Sequence, residues 1–428
     1  MRRIRVGHLA RVEGHGAINI EVDGKKVRKV RMEILEGPRL FETLTLGKLP
    51  EENLSIVPRI CAICTLSHKT ASVRGLEKCL GIRVPKKVDL LRELMMLGES
   101  LESNSLHVYL LALPDFLGYP NAIAMVDKYA DVVTQGLELK KFGNRVMEVT
   151  SARATHGENP LIGGFGKYPS NDELLALKYR SKELLPFAHK IVEIFGEIKF
   201  DAYLDVETTF ASVNPPGNEY GYISDRIMLS DGKEYDAEEY REITNERVVS
   251  HSYAKRARYM EEPFTVGALA RMNNLGDRLK GKAGQYYRKY RSRRWLKNPL
   301  YNNLAQAIEL VYDLERIPVV VDRLVKLKNP KVVRPTRESG TGTGTVEAPR
   351  GTLYHSYEVK KGRMAAVDII TPTAQSLDDI EKYLRIAAEN MLAKNKSDAE
   401  IKRECEIIAR AYDPCISCSA HLVGIMRK

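Results

Sequence analysis

The chain has 428 residues, 43% of them hydrophobic, with a net charge of +11. That length can bury a large core, and the ordinary apolar content excludes an intrinsically disordered chain. No run of about 18 apolar residues is present, and the start Met1-Arg2-Arg3-Ile4 lacks the apolar segment of a signal peptide, so no membrane span and a cytoplasmic location are expected.

Strands are predicted over the first 36 residues, where residues 17–22 and 27–35 alternate around an Asp23-Gly24 hairpin step. Leu90, Leu94, Leu97 and Leu101 then fall at i, i+4, i+7 and i+11, one face of a long helix that can run on to Leu113. Helical periodicity recurs near 122–150, 171–196, 302–327, 377–394 and 397–411. Residues 200–250 and 330–375 are richer in Gly, Pro and Thr and read as loops and small sheets. Within them, Gly340-Thr341-Gly342-Thr343-Gly344 lacks the Lys-Ser/Thr ending of a phosphate loop and reads as a flexible turn leading into Val346-Glu347-Ala348-Pro349-Arg350-Gly351. With no internal repeat and no long linker, the expected fold is one mostly helical α+β domain with a β-rich N-terminal edge.

The densest basic stretch, residues 286–295, interleaves Tyr286, Tyr287, Tyr290 and Trp295 with Arg288, Lys289, Arg291, Arg293 and Arg294. Such a pattern could hold single-stranded nucleic acid. No recognised nucleic-acid module accompanies it, and a helix with a solvated basic face and core aromatics is the simpler expectation.

The six cysteines do not form a disulfide framework. Four of them make two pairs of identical spacing, Cys61-Ala-Ile-Cys64 and Cys415-Ile-Ser-Cys418, separated by 350 residues. A C-x-x-C pair turns both sulfurs toward one point, and two pairs supply four thiolates to a metal centre. Structural zinc sites join pairs about 12–20 residues apart. Pairs this remote require the whole fold to close around the metal, and soft thiolates suit nickel, iron or copper(I) as well as zinc. Cys79 and Cys405 lie in helix-like stretches and are expected to be buried and inert.

Polar segments flank these pairs: Arg11-Val12-Glu13-Gly14-His15, Glu36-Gly37-Pro38-Arg39-Leu40-Phe41-Glu42, and Asp413-Pro414 just before Cys415. Together with Arg59-Ile60-Cys61-Ala62-Ile63-Cys64-Thr65-Leu66-Ser67-His68, Asp413-Pro414-Cys415-Ile416-Ser417-Cys418-Ser419-Ala420-His421, Glu347-Ala348-Pro349-Arg350-Gly351 and Val266-Gly267-Ala268-Leu269-Ala270-Arg271, the pattern resembles the large subunit of nickel–iron hydrogenases from residue 11 to residue 421.

That resemblance implies the family's mostly helical fold and reversible heterolytic cleavage of dihydrogen. It implies that Cys61 and Cys415 are terminal nickel ligands, while Cys64 and Cys418 bridge nickel to an iron carrying carbon monoxide and cyanide. Glu13 would be the proton-relay carboxylate, Arg350 a cation over the metals, Asp413 its carboxylate partner and Asp115 a second one. Thr373 would hydrogen-bond a cyanide, and His68 would stand behind the ligands. Glu42, 19 residues before Cys61, would bind magnesium (or iron) together with His421. The resemblance also implies one domain over residues 1–421, with the seven residues 422–428 removed by a maturation endopeptidase.

The compact length is similar to the cytosolic sulfhydrogenase or NAD(P)-linked branch, with deazaflavin-reducing and heterodisulfide-linked enzymes as alternatives. Only two cysteines lie outside the metal motifs, so an iron–sulfur small subunit must carry electrons; the resemblance implies diaphorase-type and further iron–sulfur subunits beyond it. The rivals are a zinc-stabilised nucleic-acid-binding protein and a complex-I-like subunit that keeps the fold without metal. The four cysteines count against the latter.

Overall fold

A computed structural model of the protein describes residues 2–420. The N-terminal alternation folds as read: β1 (Arg2–Val6), β2 (Gly16–Asp23) and β3 (Lys26–Ile34) form an antiparallel sheet in that order. Ile18, Ile20 and Val22 turn their side chains into a core shared with the last long helices.

Helix α1 (Thr65–Cys79) starts directly after Cys64. Helix α2 (Lys86–Ser105) passes into a π-helical stretch, Leu106–Ala112, and a last turn, Leu113–Leu117, which realises the predicted run past Leu101. Leu90, Leu94, Leu97 and Leu101 are all buried. So are Glu99, Glu102, Ser103 and Asn104 of the same helix, so α2 has no solvent face in its second half and presents a polar stripe to the interior. Buried polar groups of this kind need partners, and that need ties α2 to the centre described below.

Helices α3 (Val126–Ser151) and α4 (Asn171–Glu197) follow; α3 packs along α2. A four-stranded sheet, order β6-β5-β4-β7, is made of β4 (Thr209–Val213), β5 (Arg226–Leu229), β6 (Glu234–Asp236) and β7 (Phe264–Thr265). Helix α5 (Ala268–Leu275) leads towards α6 (Asn302–Leu324), which packs against both α2 and α4 to complete the central bundle.

The expected turn at 340–344 is instead the start of a strand. β8 (Gly340–Ala348), β9 (Gly351–Lys360) and β10 (Arg363–Ile370) form an antiparallel sheet laid on α1. The glycines serve close packing rather than a turn. A Cβ on Gly344 would stand 2.0 Å from the Ala71 carbonyl oxygen, and one on Gly342 would stand 2.6 Å from that of Gly75. Helix backbone presses on strand backbone there, which only glycine permits. Helices α7 (Pro372–Ala393) and α8 (Asp398–Ala411) cover the N-terminal sheet, and the described chain ends with the short helix α9 (Ile416–Ser419).

The basic stretch falls on a helix, Gly281–Tyr290, and the turn after it. Tyr287 and Trp295 are buried, Arg291 pairs with Asp277, and Arg294 with Asp205. Two of the aromatics serve the core and two of the arginines are paired, while Arg288 and Lys289 lie exposed on a solvated face. No helix among the described residues is long and apolar enough to cross a membrane.

Candidate metal centre

The two cysteine pairs meet. The sulfurs of Cys61, Cys64, Cys415 and Cys418 all lie within 4.8 Å of one another, and all four residues are buried. Across the pairs, Cys61 Sγ stands 3.3 Å from Cys415 Sγ, and Cys64 Sγ 3.3 Å from Cys418 Sγ. They belong to the main core of the molecule, which is what a separation of 350 residues demanded.

The N-terminal pair is set by local structure. Cys61 follows the 3-10 turn Val57–Ile60, and Cys64 is the cap of α1. The backbone N–H groups of Ile63 and Cys64 point at Cys61 Sγ, each at 3.4 Å. The next N–H groups at the helix start, which have no partner within the helix, go to a buried carboxyl on α2. Leu66 N donates to Glu99 Oε1 at 2.6 Å and Ser67 N to Glu99 Oε2 at 2.9 Å.

The C-terminal pair is held differently. Cys415 runs as an isolated bridge beside Glu13, with Ile416 N donating to the Glu13 carbonyl at 3.0 Å. Cys415 N donates to Thr373 Oγ1 at 2.8 Å, and Ser417 N to Glu13 Oε2 at 3.0 Å. Ser417 Oγ donates to the other oxygen of Glu13. Gly14 makes this approach possible: its φ is +85°, and a Cβ there would stand 2.8 Å from both Ile416 Cβ and Ser417 N.

Glu13 Oε2 is 3.2 Å from Cys415 Sγ, within reach of a thiol proton, while the rest of Glu13 is half-buried. Arg350, at the turn between β8 and β9, donates from Nε to the Asp413 carbonyl at 2.7 Å and from Nη2 to Asp413 Oδ1 at 3.0 Å. Burial opposes its charge, but Asp413 and the nearby sulfurs outweigh burial and keep the guanidinium protonated. Burial pushes the Cys415 and Cys418 thiols well above the usual range. Cys61 is lowered well below it, because it accepts from Cys415 and then from Cys418 and Cys64. Four converging soft ligands in a dry site fit a thiolate-bound transition metal.

Asp115 is not the second carboxylate on Arg350. It accepts from Arg410 Nε at 2.7 Å and Nη2 at 3.1 Å and pairs with Arg11, because the turn after the π-helical stretch aims it at α8. The place beside Arg350 is taken by Ser103, whose Oγ lies 3.2 Å from Nη1. Asp413 has a second neighbour, Gln306, whose Nε2 donates to Oδ2 at 3.1 Å. His68 is buried, its Nδ1 is 2.9 Å from His355 Nε2, and burial lowers its pKa to about 4, so the ring is neutral. Glu42 accepts from Ile369 N at 2.9 Å, and burial raises its pKa. His421 and residues 422–428 lie outside the described residues.

Three groups were not legible as site residues in the sequence. Glu99 and Ser103 lie on the polar stripe of α2, and a run of small and acidic residues inside a leucine-rich helix is the only signal they leave. Arg271 on α5 is fully buried, pairs with Glu309 and Glu347, and donates to the carbonyls of Ala348 (3.2 Å) and Pro349 (2.9 Å). It thereby holds the turn that carries Arg350. A cavity of about 420 Å³ opens by Tyr222 and Tyr312 and touches none of the four cysteines.

A family model described as nickel-dependent hydrogenase matches residues 39–137 and 219–421. Sulfhydrogenase 1 subunit alpha of Pyrococcus furiosus is 41% identical over 428 residues, covering 99% of this chain and 98% of the relative. Sulfhydrogenase 2 subunit alpha of the same organism is 40% identical over 426 residues, covering 99% of this chain and 100% of the relative. Among solved structures, an NAD+-reducing [NiFe]-hydrogenase in the H2-reduced state superposes with a TM-score of 0.88 at 26% identity, over 98% of this chain and 100% of that one. With four converging sulfurs where two remote motifs meet, the chain belongs to the nickel-dependent hydrogenase family, as its large, catalytic subunit.

Proposed function

We propose that this subunit cleaves dihydrogen reversibly and heterolytically at the four-cysteine centre and, in the sulfhydrogenase manner, passes the electrons through an iron–sulfur small subunit to NAD(P) or sulfur. The observation that carries the reading is the coincidence of four buried sulfurs within 4.8 Å and a carboxylate oxygen 3.2 Å from one of them. Bound nickel and iron, the iron with carbon monoxide and cyanide, would supply the polarisation that splits hydrogen. Cys61 and Cys415 would hold nickel as terminal ligands, and Cys64 and Cys418 would bridge the two metals.

The chain's own residues handle the proton. A proton on Cys415 Sγ lies in reach of Glu13 Oε2, and the half-buried carboxylate can carry it from the dry core toward the surface. Arg350 presents a fixed cation in a low-dielectric pocket, where it favours anionic ligands on the iron, and Asp413 with Ser103 fixes its direction. Thr373, below Cys415, is the hydroxyl for a cyanide, and neutral His68 buttresses the ligand shell from behind. Glu42 and His421 would bind magnesium (or iron). Residues 1–421 act as one domain in the cytoplasm, and an endopeptidase removes residues 422–428. The partners are the small subunit and, beyond it, diaphorase-type and iron–sulfur subunits.

Hydrogen-dependent dye reduction by the purified complex tests the reading, with H/D exchange under deuterium measured alongside. Both activities are expected, and their absence in a complex loaded with nickel and iron would refute it. Intact mass of the active subunit tests processing: a mass ending at His421 is expected, and full activity with Lys428 retained would contradict it.

A further inference from the structure

The two cysteine loops share a contact that involves none of the residues assigned above. Arg39 lies on the segment between β3 and the first cysteine motif. Its Nη2 donates to the carbonyl of Ile60 at 2.6 Å and to the carbonyl of Ser417 at 2.6 Å. Ile60 precedes Cys61 and Ser417 precedes Cys418. One nitrogen bears two hydrogens, so each carbonyl receives one. The two oxygens therefore stand within about 5 Å of each other, on chain segments more than 350 residues apart. Both are the negative ends of peptide dipoles. Without a cation between them, they repel.

The side chain is fixed for this task. Its guanidinium carbon stands 5.1 Å from the centre of the Phe41 ring, a cation–π distance. Arg39 also lines, with Phe41, Glu42, Ile60, Ile369, Cys418 and Ala420, the small cleft on the outer side of Cys418. Its bonds to the two loops are to backbone carbonyls, so it acts through the two backbones.

We propose that Arg39 is a positioning residue that clasps the N-terminal and C-terminal cysteine loops at their carbonyls and sets their mutual register before any metal is present. The clasp needs a cation with two N–H groups on one atom. Lysine offers that on a shorter stem, glutamine offers it without the charge, and methionine offers neither. Charge-assisted bonds are the strong kind, so two of them on one atom dominate the closing of these loops.

The clasp goes beyond the hydrogenase reading, and its test does not use that activity. The metal-free full chain is compared as wild type, Arg39→Met and Arg39→Lys, by anaerobic Co2+ titration read in the thiolate charge-transfer bands and by amide hydrogen exchange. Arg39→Met should weaken Co2+ binding by roughly tenfold or more and speed exchange over residues 413–420, with exchange over α1 unchanged. Arg39→Lys should recover most of both. Equal Co2+ affinity and equal exchange in Arg39→Met would overturn the proposal, as would loss of protection spread over the whole chain in every variant. Should Arg39→Met fail to fold, Arg39→Gln against Arg39→Lys decides: equal binding by the two removes the charge, and with it the proposal.

Discussion

The two halves of the metal centre are built by opposite means. The N-terminal pair stands at the start of a 15-residue helix whose first N–H groups are capped by Glu99 and whose body lies between a sheet and the central bundle. The C-terminal pair stands on a four-residue helix at the end of the described chain, suspended from Glu13, Thr373, Arg350 and Arg39. Regular secondary structure positions one pair, and single side chains drawn from across the molecule position the other. A rigid half and a suspended half can come together around a metal without moving the scaffold, and side chains that suspend a loop are placed to do chemistry as well.

If this contrast holds, substitutions on the suspended side act on ligation, proton transfer and the local order of residues 413–420, and those on the rigid side change stability while leaving activity intact. The largest effect is expected of Cys415→Ser, which removes a soft ligand and the proton's first stop. Hydrogen-dependent dye reduction should fall to background while α1 keeps its exchange protection. Next comes Glu13→Gln. The amide still bonds Ser417 but cannot take a proton from Cys415. A loss of about 10²–10⁴-fold in H/D exchange is expected, with nickel and iron retained on metal analysis. Loss of metal in that variant would move Glu13 from relay to support.

Smaller effects separate the halves further. Thr373→Val leaves the Cys415 N–H buried without an acceptor, at a cost of about 1–3 kcal/mol. Faster amide exchange should be confined to residues 413–420, and spread into α1 would show the halves to be coupled. On the rigid side, Glu99→Gln is expected to leave activity intact: the amide oxygen accepts from Leu66 N and the NH2 donates to Ser67 Oγ, while the Ser67 N–H loses its acceptor. Burial raises the Glu99 pKa to about 8, above the ordinary 4.5. Between those values the unfolded chain releases a proton that the folded chain keeps, so this carboxyl lowers stability as pH rises. The melting temperature of Glu99→Gln should exceed wild type near pH 8, with the gap closing toward pH 5. A gap that widens toward acid would contradict the burial of a neutral carboxyl.

The sequence disclosed the rigid half better than the suspended one. The leucine spacing marked α2, and the cysteine spacing with its flanking residues marked both motifs, because periodicity and spacing are local properties. The contacts that suspend Cys415 and Cys418 are not local. Nothing in the residues around Ser103 says that it takes the place expected of Asp115, since the π-helical stretch between them changes which side chains face the centre. The glycine-rich run at 340–344 misled for a related reason. Its glycines answer to α1, a helix more than 250 residues earlier, and not to a turn of their own.

The most direct test of a centre assembled from both halves is nickel and iron analysis of this subunit after its separation from the iron–sulfur subunits of the purified complex. About one nickel and one iron per chain is predicted for the wild type, falling together in Cys415→Ser. Zinc alone, or nickel and iron undiminished when Cys415 is replaced, would contradict a centre that needs both pairs.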